Sequence, residues 1–372
     1  MGAALRPRLG AEGPPGPRTA KVSIVPCRDY GPAVKAALAQ SFDQLGGIGR
    51  LVKGQTVTVK INLTGSNFDK ILGRPVGESY MTHPSTVMAM TAAFFAAGAQ
   101  RVRLVESTQL RDSLDKTLVA AGFDLNALMA LGRVEVENTR NLGAGKSYAT
   151  FKVPSGGHLF SEFELNHSYA DTDVLVSLCK LKTHGTTGVT LTMKNLFGIT
   201  PNALYGDDAP DENCLKGRGR IHNPTKAWET RDNLAPFDPP GSKREFFDPN
   251  DSGYRIPRVV VDVCEARPIH LGIIDGITTL NYAEGPWVKG KPQKIATPRV
   301  LICGFNPVAT DTVGTAVMGF SNVRAARGTA PFGPGDNHLV LAERVGLGPC
   351  DLSRIEVVGL PIEKARSREF LT

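Results

Sequence analysis

Four side chains suited to acid/base chemistry fall within a stretch that contains no acidic residue. Between positions 174 and 206 the chain has no Asp or Glu, and Lys180, Lys182, His184 and Lys194 surround a turn rich in Gly and Thr. Grouped lysines attract anions, and histidine is the side chain best suited to proton transfer near neutral pH. The stretch is therefore the predicted functional site, and the predicted chemistry is acid/base catalysis on a small anion.

A strand that runs into a helix is predicted to position these side chains. Before Gly185 the sequence alternates with a period of two, so an extended strand would place Lys180, Lys182 and His184 on one face. After Gly188 the apolar residues recur at three- and four-residue spacing, as in a packed helix. The helix start would present unpaired backbone N–H groups, which attract an anion. We expect both elements to face one crevice.

Polar residues also end other predicted strands. Lys60 and Asn62 end an alternating strand, Glu106 and Ser107 end the next, and Asp275 ends a later one. In open α/β sheets, ligands bind beyond the carboxyl ends of the strands. These residues are therefore expected beside the Lys182 and His184 stretch, although Lys60 and Asn62 also fit a solvated strand face.

The predicted roles follow from residue type. His184 is the candidate general acid/base, with a structural histidine as the alternative, and Lys182 and Lys194 complete the candidate catalytic set. Lys194 lies four positions after Thr190, so both can line one helix face, although a surface lysine is the alternative.

The candidate substrate-binding residues are Lys60, Asn62, Thr187 and Asn195. The ligands expected for a divalent metal ion, if one is bound, are Asp275, Asp311, Glu284 and His184. Asp275 fits a simple turn equally well, and Asp311 fits the first turn of a helix.

Composition places the chain among globular proteins. Of its 372 residues 41% are hydrophobic and 21% are charged, and the formal net charge is +7. Residues 1–21 carry +3 of that charge, and no basic run is interleaved with aromatics, so nucleic acid is not the expected partner. The longest apolar stretch, Val87 to Ala99, is too short to span a bilayer, so no membrane partner is expected. The basic run Lys216 to Arg220 fits a solvated loop, or one that closes over an anionic ligand.

Several cofactor classes are disfavoured by motif and cysteine usage. The six cysteines are scattered with no Cys-x-x-Cys pair, so the chain encodes no ferredoxin-like iron–sulfur cluster and no standard zinc ribbon. The sequence also lacks a Gly-x-x-x-x-Gly-Lys-Ser/Thr loop, a Gly-x-Gly-x-x-Gly fingerprint and a His-Glu-x-x-His helix. Buried reduced thiols and a cytoplasmic location are expected, with an exported form as the alternative if the N-terminus is trimmed.

The order of predicted elements indicates an α/β fold. Strands and helices alternate from position 22 onwards, which is typical of a mostly parallel, open, Rossmann-like sheet with helices on both faces. We predict a disordered basic tail over 1–21 and an α/β lobe with the Lys-rich motif over 22–204. An irregular insertion or lid is predicted over 205–256, and a second α/β portion on the same sheet or crevice over 257–372.

A family resemblance rests on these same motifs. They are Lys60-Ile61-Asn62-Leu63, Thr82-His83-Pro84, Lys180 to His184 continuing to Lys194 through Gly198, Ile274-Asp275-Gly276, Glu284-Gly285-Pro286 and Asn306 through Asp311. Over about residues 22 to 320 the chain resembles family 362 among the domains of unknown function. The resemblance implies an α/β fold and names no substrate. Some members carry a fused ferredoxin-type module that this chain lacks. Departures from the family pattern are Ile61, where Pro is usual, and the long segment between His222 and Tyr254.

A fainter similarity is to the lactate-racemase type of nickel-pincer enzymes, which also place His and Lys after strands of an α/β fold.

The leading hypothesis is an enzyme acting on a small carboxylate or phosphate in a basic crevice, with a divalent metal as the candidate cofactor. The alternative is a non-catalytic ligand-binding protein or a partner protein of an iron–sulfur redox system. Expected partners are the small anion, a second copy of the chain, or a separate ferredoxin-like protein.

Overall fold

The computed structural model describes residues 20–215, 217–222, 238–243, 250–281, 284–287 and 293–371. The strands in this part of the chain are β1 Ala20–Pro26, β2 Thr56–Lys60, β3 Arg101–Glu106, β4 Val134–Asn138, β5 Ala149–Lys152, β6 Glu162–Leu165, β7 Val174–Lys180, β8 Thr183–His184, β9 Gly188–Val189, β10 Leu271–Gly276, β11 Thr279–Asn281, β12 Lys294–Ala296, β13 Val300–Gly304 and β14 Ile355–Gly359. The α-helices are α1 Pro32–Gln44, α2 Gly49–Val52, α3 Pro84–Ala96, α4 Leu114–Ala120, α5 Leu125–Met129, α6 Leu191–Asn195, α7 Asn202–Tyr205, α8 Gly219–His222, α9 Ser252–Ala266, α10 Pro307–Val317, α11 His338–Arg344 and α12 Ile362–Ala365.

Eight of these strands form one mostly parallel sheet. Their order is β14-β1-β13-β10-β7-β2-β3-β4, and β13 is antiparallel to both β1 and β10 while the other neighbours pair in parallel. The remaining strands form the hairpins β5–β6, β8–β9 and β11–β12. The predicted α/β class with a mostly parallel sheet is confirmed. Strands from both predicted α/β portions lie in this one sheet.

Each face of the sheet carries its own apolar core. Along β7, Val176 and Leu178 pack with helices α1, α3, α4 and α5, whereas Leu175 and Cys179 pack with α6, α9, α10 and α11. Alternate residues of a strand point to opposite faces, so a strand buried on both sides becomes continuously apolar. The cysteines are free and buried, as their apolar surroundings predict. No helix in the described ranges is both long and apolar enough to cross a membrane.

Helix boundaries agree with the sequence where a capping signal is present. Helix α3 begins at Pro84, where the His83 imidazole accepts the Ser85 N–H, and it ends before Gly98, whose φ of +93° suits glycine. Helix α4 begins at Leu114, directly after Ser113, whose side chain makes no capping hydrogen bond.

The second half of the chain contains elements that the sequence did not predict. Helix α9 begins at Ser252, before the predicted end of the insertion at 256, and the Asp251 carboxylate caps it by accepting the Tyr254 N–H. The β5–β6 hairpin, in the first half of the chain, is another element without a sequence prediction. Most of the predicted tail over 1–21 and much of the predicted insertion lie outside the described residues.

One buried carboxylate fastens α10 to the start of α6. Asp311 Oδ1 accepts the N–H and the hydroxyl of Thr192 at 2.8 and 2.6 Å, and Oδ2 accepts the Met193 N–H at 2.8 Å. Burial raises the Asp311 pKa to about 7, against the opposing effect of these hydrogen bonds. The first N–H groups of α6 are therefore occupied by protein, so they do not form the anion site expected at this helix start.

Asp311→Asn is expected to lower the free energy of unfolding by about 2 kcal/mol, because the amide NH2 would face a backbone donor and leave it unpaired. Urea unfolding followed by circular dichroism measures this change. Asp43→Asn, at an exposed position of α1, removes the same formal charge and should change stability by less than about 0.5 kcal/mol. Equal losses in the two variants would show that Asp311 does not hold α6.

Candidate functional site

A crevice of about 550 Å³, part of it open to solvent, lies at the carboxyl ends of β2, β3 and β7. These three strands are neighbours in the sheet, so the polar residues that follow them meet at one edge. Helix α6 and the residue before α8 close its other sides. The lining residues are Lys60, Asn62, Thr64, Glu106, Ser107, Gln109, Lys182, His184, Thr190, Lys194, Asn195, Phe197, Gly198, Arg218 and Glu284.

Lys60 and Glu106 form a buried ion pair on the floor of the crevice. The Lys60 Nζ lies 2.7 Å from Glu106 Oε1 and also donates to the Ile61 carbonyl at 2.6 Å. Glu106 in turn accepts the N–H groups of Leu63 and Ser107 at 2.7 and 2.8 Å. Burial lowers the pKa of Lys60, and Glu106 opposes that shift. The charge of Lys60 is therefore matched by a carboxylate inside the protein.

Lys182 is held by two backbone carbonyls. Its Nζ donates to the Tyr80 oxygen at 3.1 Å and to the Glu284 oxygen at 3.0 Å, and it lies 5.6 Å from the centre of the Tyr80 ring. Burial lowers the pKa of Lys182 to about 8. An ammonium group has three N–H donors, so one donor remains for a ligand.

His184 has a fixed tautomer because of its backbone partners. Its Nδ1 accepts the N–H groups of Thr186 and Thr187 at 3.0 and 3.2 Å, so the ring proton resides on Nε2. Nε2 lies 2.5 Å from Glu284 Oε2 and donates to it, while Trp287 Nε1 donates to Glu284 Oε1 at 3.2 Å. Burial lowers the pKa of His184. Both ring nitrogens therefore have protein partners.

The Glu284 carboxylate stays ionised beside these groups. Burial by itself would raise its pKa, but the contact with His184 and the charge of Lys194 together outweigh burial and hold the pKa well below its usual range. The crevice thus contains a carboxylate whose position is set by His184 and Trp287.

Thr190 and Lys194 face the crevice from one side of α6. Within the described ranges, Lys194 Nζ has no hydrogen-bond or ion-pair partner and lies 4.3 Å from the centre of the Phe197 ring. The buried Thr190 hydroxyl also has no hydrogen-bond partner among described atoms. Burial lowers the pKa of Lys194 to about 8, and the charges of Arg218 and Lys60 add to that shift.

Arg218 enters the crevice from the segment predicted to be an insertion or lid. Its Nε donates to the carbonyl and hydroxyl oxygens of Thr200, both at 3.0 Å, and Nη2 donates to the Gly198 carbonyl at 3.0 Å. The remaining guanidinium donors have no partner in the part of the chain that the structure describes. The sequence signal was the basic run around Arg218, which composition alone cannot distinguish from a solvated loop. Gln109 and Phe197 carried no comparable signal.

The predicted substrate-binding residues differ in placement. Asn62 lines the crevice, and its Oδ1 accepts the Thr64 N–H at 3.0 Å. Asn195 also lines the crevice, but its amide donates to the Lys60 carbonyl at 3.1 Å and to the Ser177 hydroxyl at 3.0 Å, so it joins β2 to β7. The Thr187 hydroxyl donates to the Val189 carbonyl and lies outside the crevice lining.

The structure does not assemble the expected metal ligands. Asp275 pairs with Lys180 at 3.0 Å and accepts the Tyr30 hydroxyl at 3.0 Å, Asp311 holds α6, and Glu284 is bonded to His184. No group of three or more His, Cys, Asp or Glu side chains among the described residues could hold a metal ion. Lys180 and its partner Asp275 both lie outside the crevice that contains Lys182 and His184. Asp275 therefore does not form an acid/base set with Lys182 and His184.

Sequence comparisons identify relatives of the chain. The family model described as Domain of unknown function (DUF362) matches residues 57–316. A thylakoid-associated protein of Synechocystis is 30% identical over 296 residues, which cover 78% of this chain and 73% of the relative.

Two solved structures are more distant. The lactate racemase apoprotein of Thermoanaerobacterium thermosaccharolyticum matches 73% of this chain and 52% of its own, with 13% identity and a TM-score of 0.35. A crystal structure of a protein from Thermotoga maritima matches 74% of this chain and 55% of its own, with 12% identity and a TM-score of 0.35. The chain spans about half the length of these structures.

Glu106→Gln is expected to destabilise the protein by about 3 kcal/mol, because it leaves the Lys60 ammonium buried without a counter-charge. Urea unfolding at neutral pH gives the difference. The double variant Lys60→Met with Glu106→Gln should recover part of the loss. Glu356→Gln is the control because it breaks the exposed Lys21–Glu356 pair, and it should cost at most about 0.5 kcal/mol. A loss of that same small size for Glu106→Gln would contradict a coupled buried pair.

Proposed function

The chain belongs to the DUF362 family, and from that premise and the chemistry of its crevice we propose that it is an enzyme acting on a small anionic substrate. The observation that carries the proposal is that the Thr190 hydroxyl and the Lys194 amine lack protein partners among the described residues. They line one crevice, and within the described residues neither polar group has a protein hydrogen-bond partner. Buried polar groups are nearly always bonded, so the unbonded Thr190 hydroxyl, which shares the crevice with the partly exposed Lys194 amine, indicates a ligand that supplies the missing contact.

The positive charge of the crevice indicates that this ligand is an anion. The crevice contains four cationic side chains, Lys60, Lys182, Lys194 and Arg218, and two carboxylates, Glu106 and Glu284. An excess of positive charge in a partly desolvated site attracts a ligand with one or two negative charges.

The donors are of the kind that an oxyanion needs. Arg218 is anchored through Nε and Nη2, so its planar guanidinium is already oriented and can offer further N–H groups to a carboxylate or phosphate. The Thr190 hydroxyl and the remaining donor of Lys182 supply single hydrogen bonds. Lys60 contributes through its field, because its ammonium is already paired with Glu106.

We assign proton transfer to the lysines and a positioning role to His184. A lysine whose pKa lies near 8 exchanges protons readily close to neutral pH, and both Lys182 and Lys194 have that value. His184 acts through Glu284, since its Nδ1 is engaged by the backbone and its Nε2–H by that carboxylate. This arrangement revises the role expected for His184 from the sequence.

The same lysines favour an enzyme over a protein that only binds its ligand. A purely ligand-binding site gains from fully charged lysines, whereas a lysine with a pKa of about 8 is partly neutral at physiological pH. A binding protein of an iron–sulfur redox system is the alternative. It predicts anion binding with no chemical change in the anion and a stable complex with a ferredoxin-like protein.

Thr190→Val is expected to weaken the binding of sulfate, used as the probe anion, by about threefold to tenfold, because one hydrogen bond is lost. Titration calorimetry measures the affinity, and urea unfolding should show no loss of stability. Thr58→Val is the matched control, since the Thr58 hydroxyl is also buried and without a partner among described atoms but lies outside the crevice. Equal sulfate affinity in the wild-type protein and Thr190→Val would remove Thr190 from the binding site.

Sulfate binding is expected to decline as the pH rises through about 8. Lys182 and Lys194 are protonated below a pKa of about 8 and lose their charge above it, whereas an ordinary lysine stays charged to about pH 10. Sulfate keeps its charge across this range, so calorimetry from pH 6.5 to 9.5 isolates the protein groups. Lys182→Arg combined with Lys194→Arg should flatten the profile. A wild-type profile that is already flat would contradict the lowered pKa values.

A further inference from the structure

Lys194 differs from every other cation of the crevice in its contacts. Lys60 is paired with Glu106, Lys182 donates to two carbonyl oxygens, and Arg218 is anchored on Thr200 and Gly198. Lys194 has no such partner among the described residues and rests against the face of Phe197. Within the described part of the crevice, the Lys194 amine is therefore the only one of these cationic groups that donates no hydrogen bond to a protein acceptor.

The surroundings of Lys194 favour a neutral amine. Burial disfavours the charged ammonium, and Arg218 and Lys60 add positive charge nearby. Glu284 opposes their effect without forming an ion pair with Lys194, and the face of the Phe197 ring, which attracts a cation, also opposes it. Desolvation next to other cations is the environment that turns a lysine into a nucleophile. The space between Lys194 and Glu284 is open to the crevice that both residues line.

We propose that Lys194 is a nucleophile that forms an imine with the carbonyl carbon of a small oxo acid bound in the crevice. This inference rests on the proposed function and names its substrate class. Thr190 and Lys194 both line the crevice, and the Lys194 backbone N–H donates to the Thr190 carbonyl at 3.2 Å, so a carboxylate held at Thr190 and Arg218 would place a neighbouring carbonyl near the Lys194 amine. A carboxylate next to a carbonyl thus matches both unpartnered groups at once.

The chemical step is balanced without an oxidant or reductant. The amine lone pair attacks the carbonyl carbon, the C–N bond forms, and the carbonyl oxygen takes a proton to give a carbinolamine. Lys182 can supply that proton through its remaining donor and, as a neutral amine, can then take up the proton released from the Lys194 nitrogen. The hydroxyl group takes a proton from Lys182 and leaves as water, and the C=N bond forms as a protonated imine. A protonated imine withdraws electrons from the adjacent carbon, which assists deprotonation or bond cleavage there.

Glyoxylate is the probe for this proposal, since it is the smallest aldehyde that carries a carboxylate. The intact protein is incubated with glyoxylate and cyanoborohydride at about pH 7.5, and the modified lysines are identified by peptide mass mapping. Lys194 is expected to be modified at least about tenfold faster than the exposed Lys116, because a much larger fraction of its amine is neutral. Sulfate should slow modification of Lys194 and leave Lys116 unaffected.

Variants separate this proposal from the proposed function. Lys194→Arg keeps the charge but not the nucleophile, so it should lose the fast modification and still bind sulfate, while Lys116→Arg should change neither property. Sulfate binding without fast labelling of Lys194 overturns the imine and leaves the anion site standing. Preferential labelling of Lys182 overturns the assignment to Lys194. Absence of both sulfate binding and fast labelling in the wild-type protein overturns both proposals.

Discussion

The crevice depends on the contact between the Asp311 carboxylate and the first N–H groups of α6. Helix α6 has a single full turn and begins with Leu191 at a φ of +49°, a conformation that a non-glycine residue keeps only when its surroundings enforce it. Asp311 supplies that enforcement from α10, across the apolar core that the two helices share. Thr190 and Lys194, which both line the crevice, lie on either side of the two residues that Asp311 holds.

Burial of charge at the carboxyl ends of the strands is tolerated through local pairing. The Lys60–Glu106 and Lys180–Asp275 ion pairs and the hydrogen-bonded His184–Glu284 pair each place opposite or complementary groups in direct contact. Against that background the lack of a partner for Lys194 among described residues is the exception. Functional sites commonly violate the rules that the rest of a fold obeys, because a group committed to a protein partner is unavailable to a ligand.

Local sequence patterns predicted elements well wherever they were unambiguous. The alternation of Val57 and Val59 with Thr58 and Lys60 gave a buried strand, and His83-Pro84 gave a helix start. No element was predicted over α9, where the β-branched residues Val259 to Val261 favour a strand by propensity but lie in a helix. Tertiary contacts decided that case, because the helix buries this run and its Asp262 accepts backbone N–H groups from the loop at 158–160.

The sequence by itself determined the α/β class, the strand ends that carry polar residues, and the grouping of Lys60, Asn62, Lys182, His184 and Lys194 at one edge of the sheet. Spacing along a strand or helix fixes which residues can share a face, so this much is local information. Only the tertiary structure decided that Lys180 and Asp275 pair away from the crevice, that Asp311 caps a helix, and that Arg218 enters the site. Those outcomes depend on which side chains, distant in sequence, lie next to a buried charge in the folded protein. Spacing along the chain does not encode the distance between them.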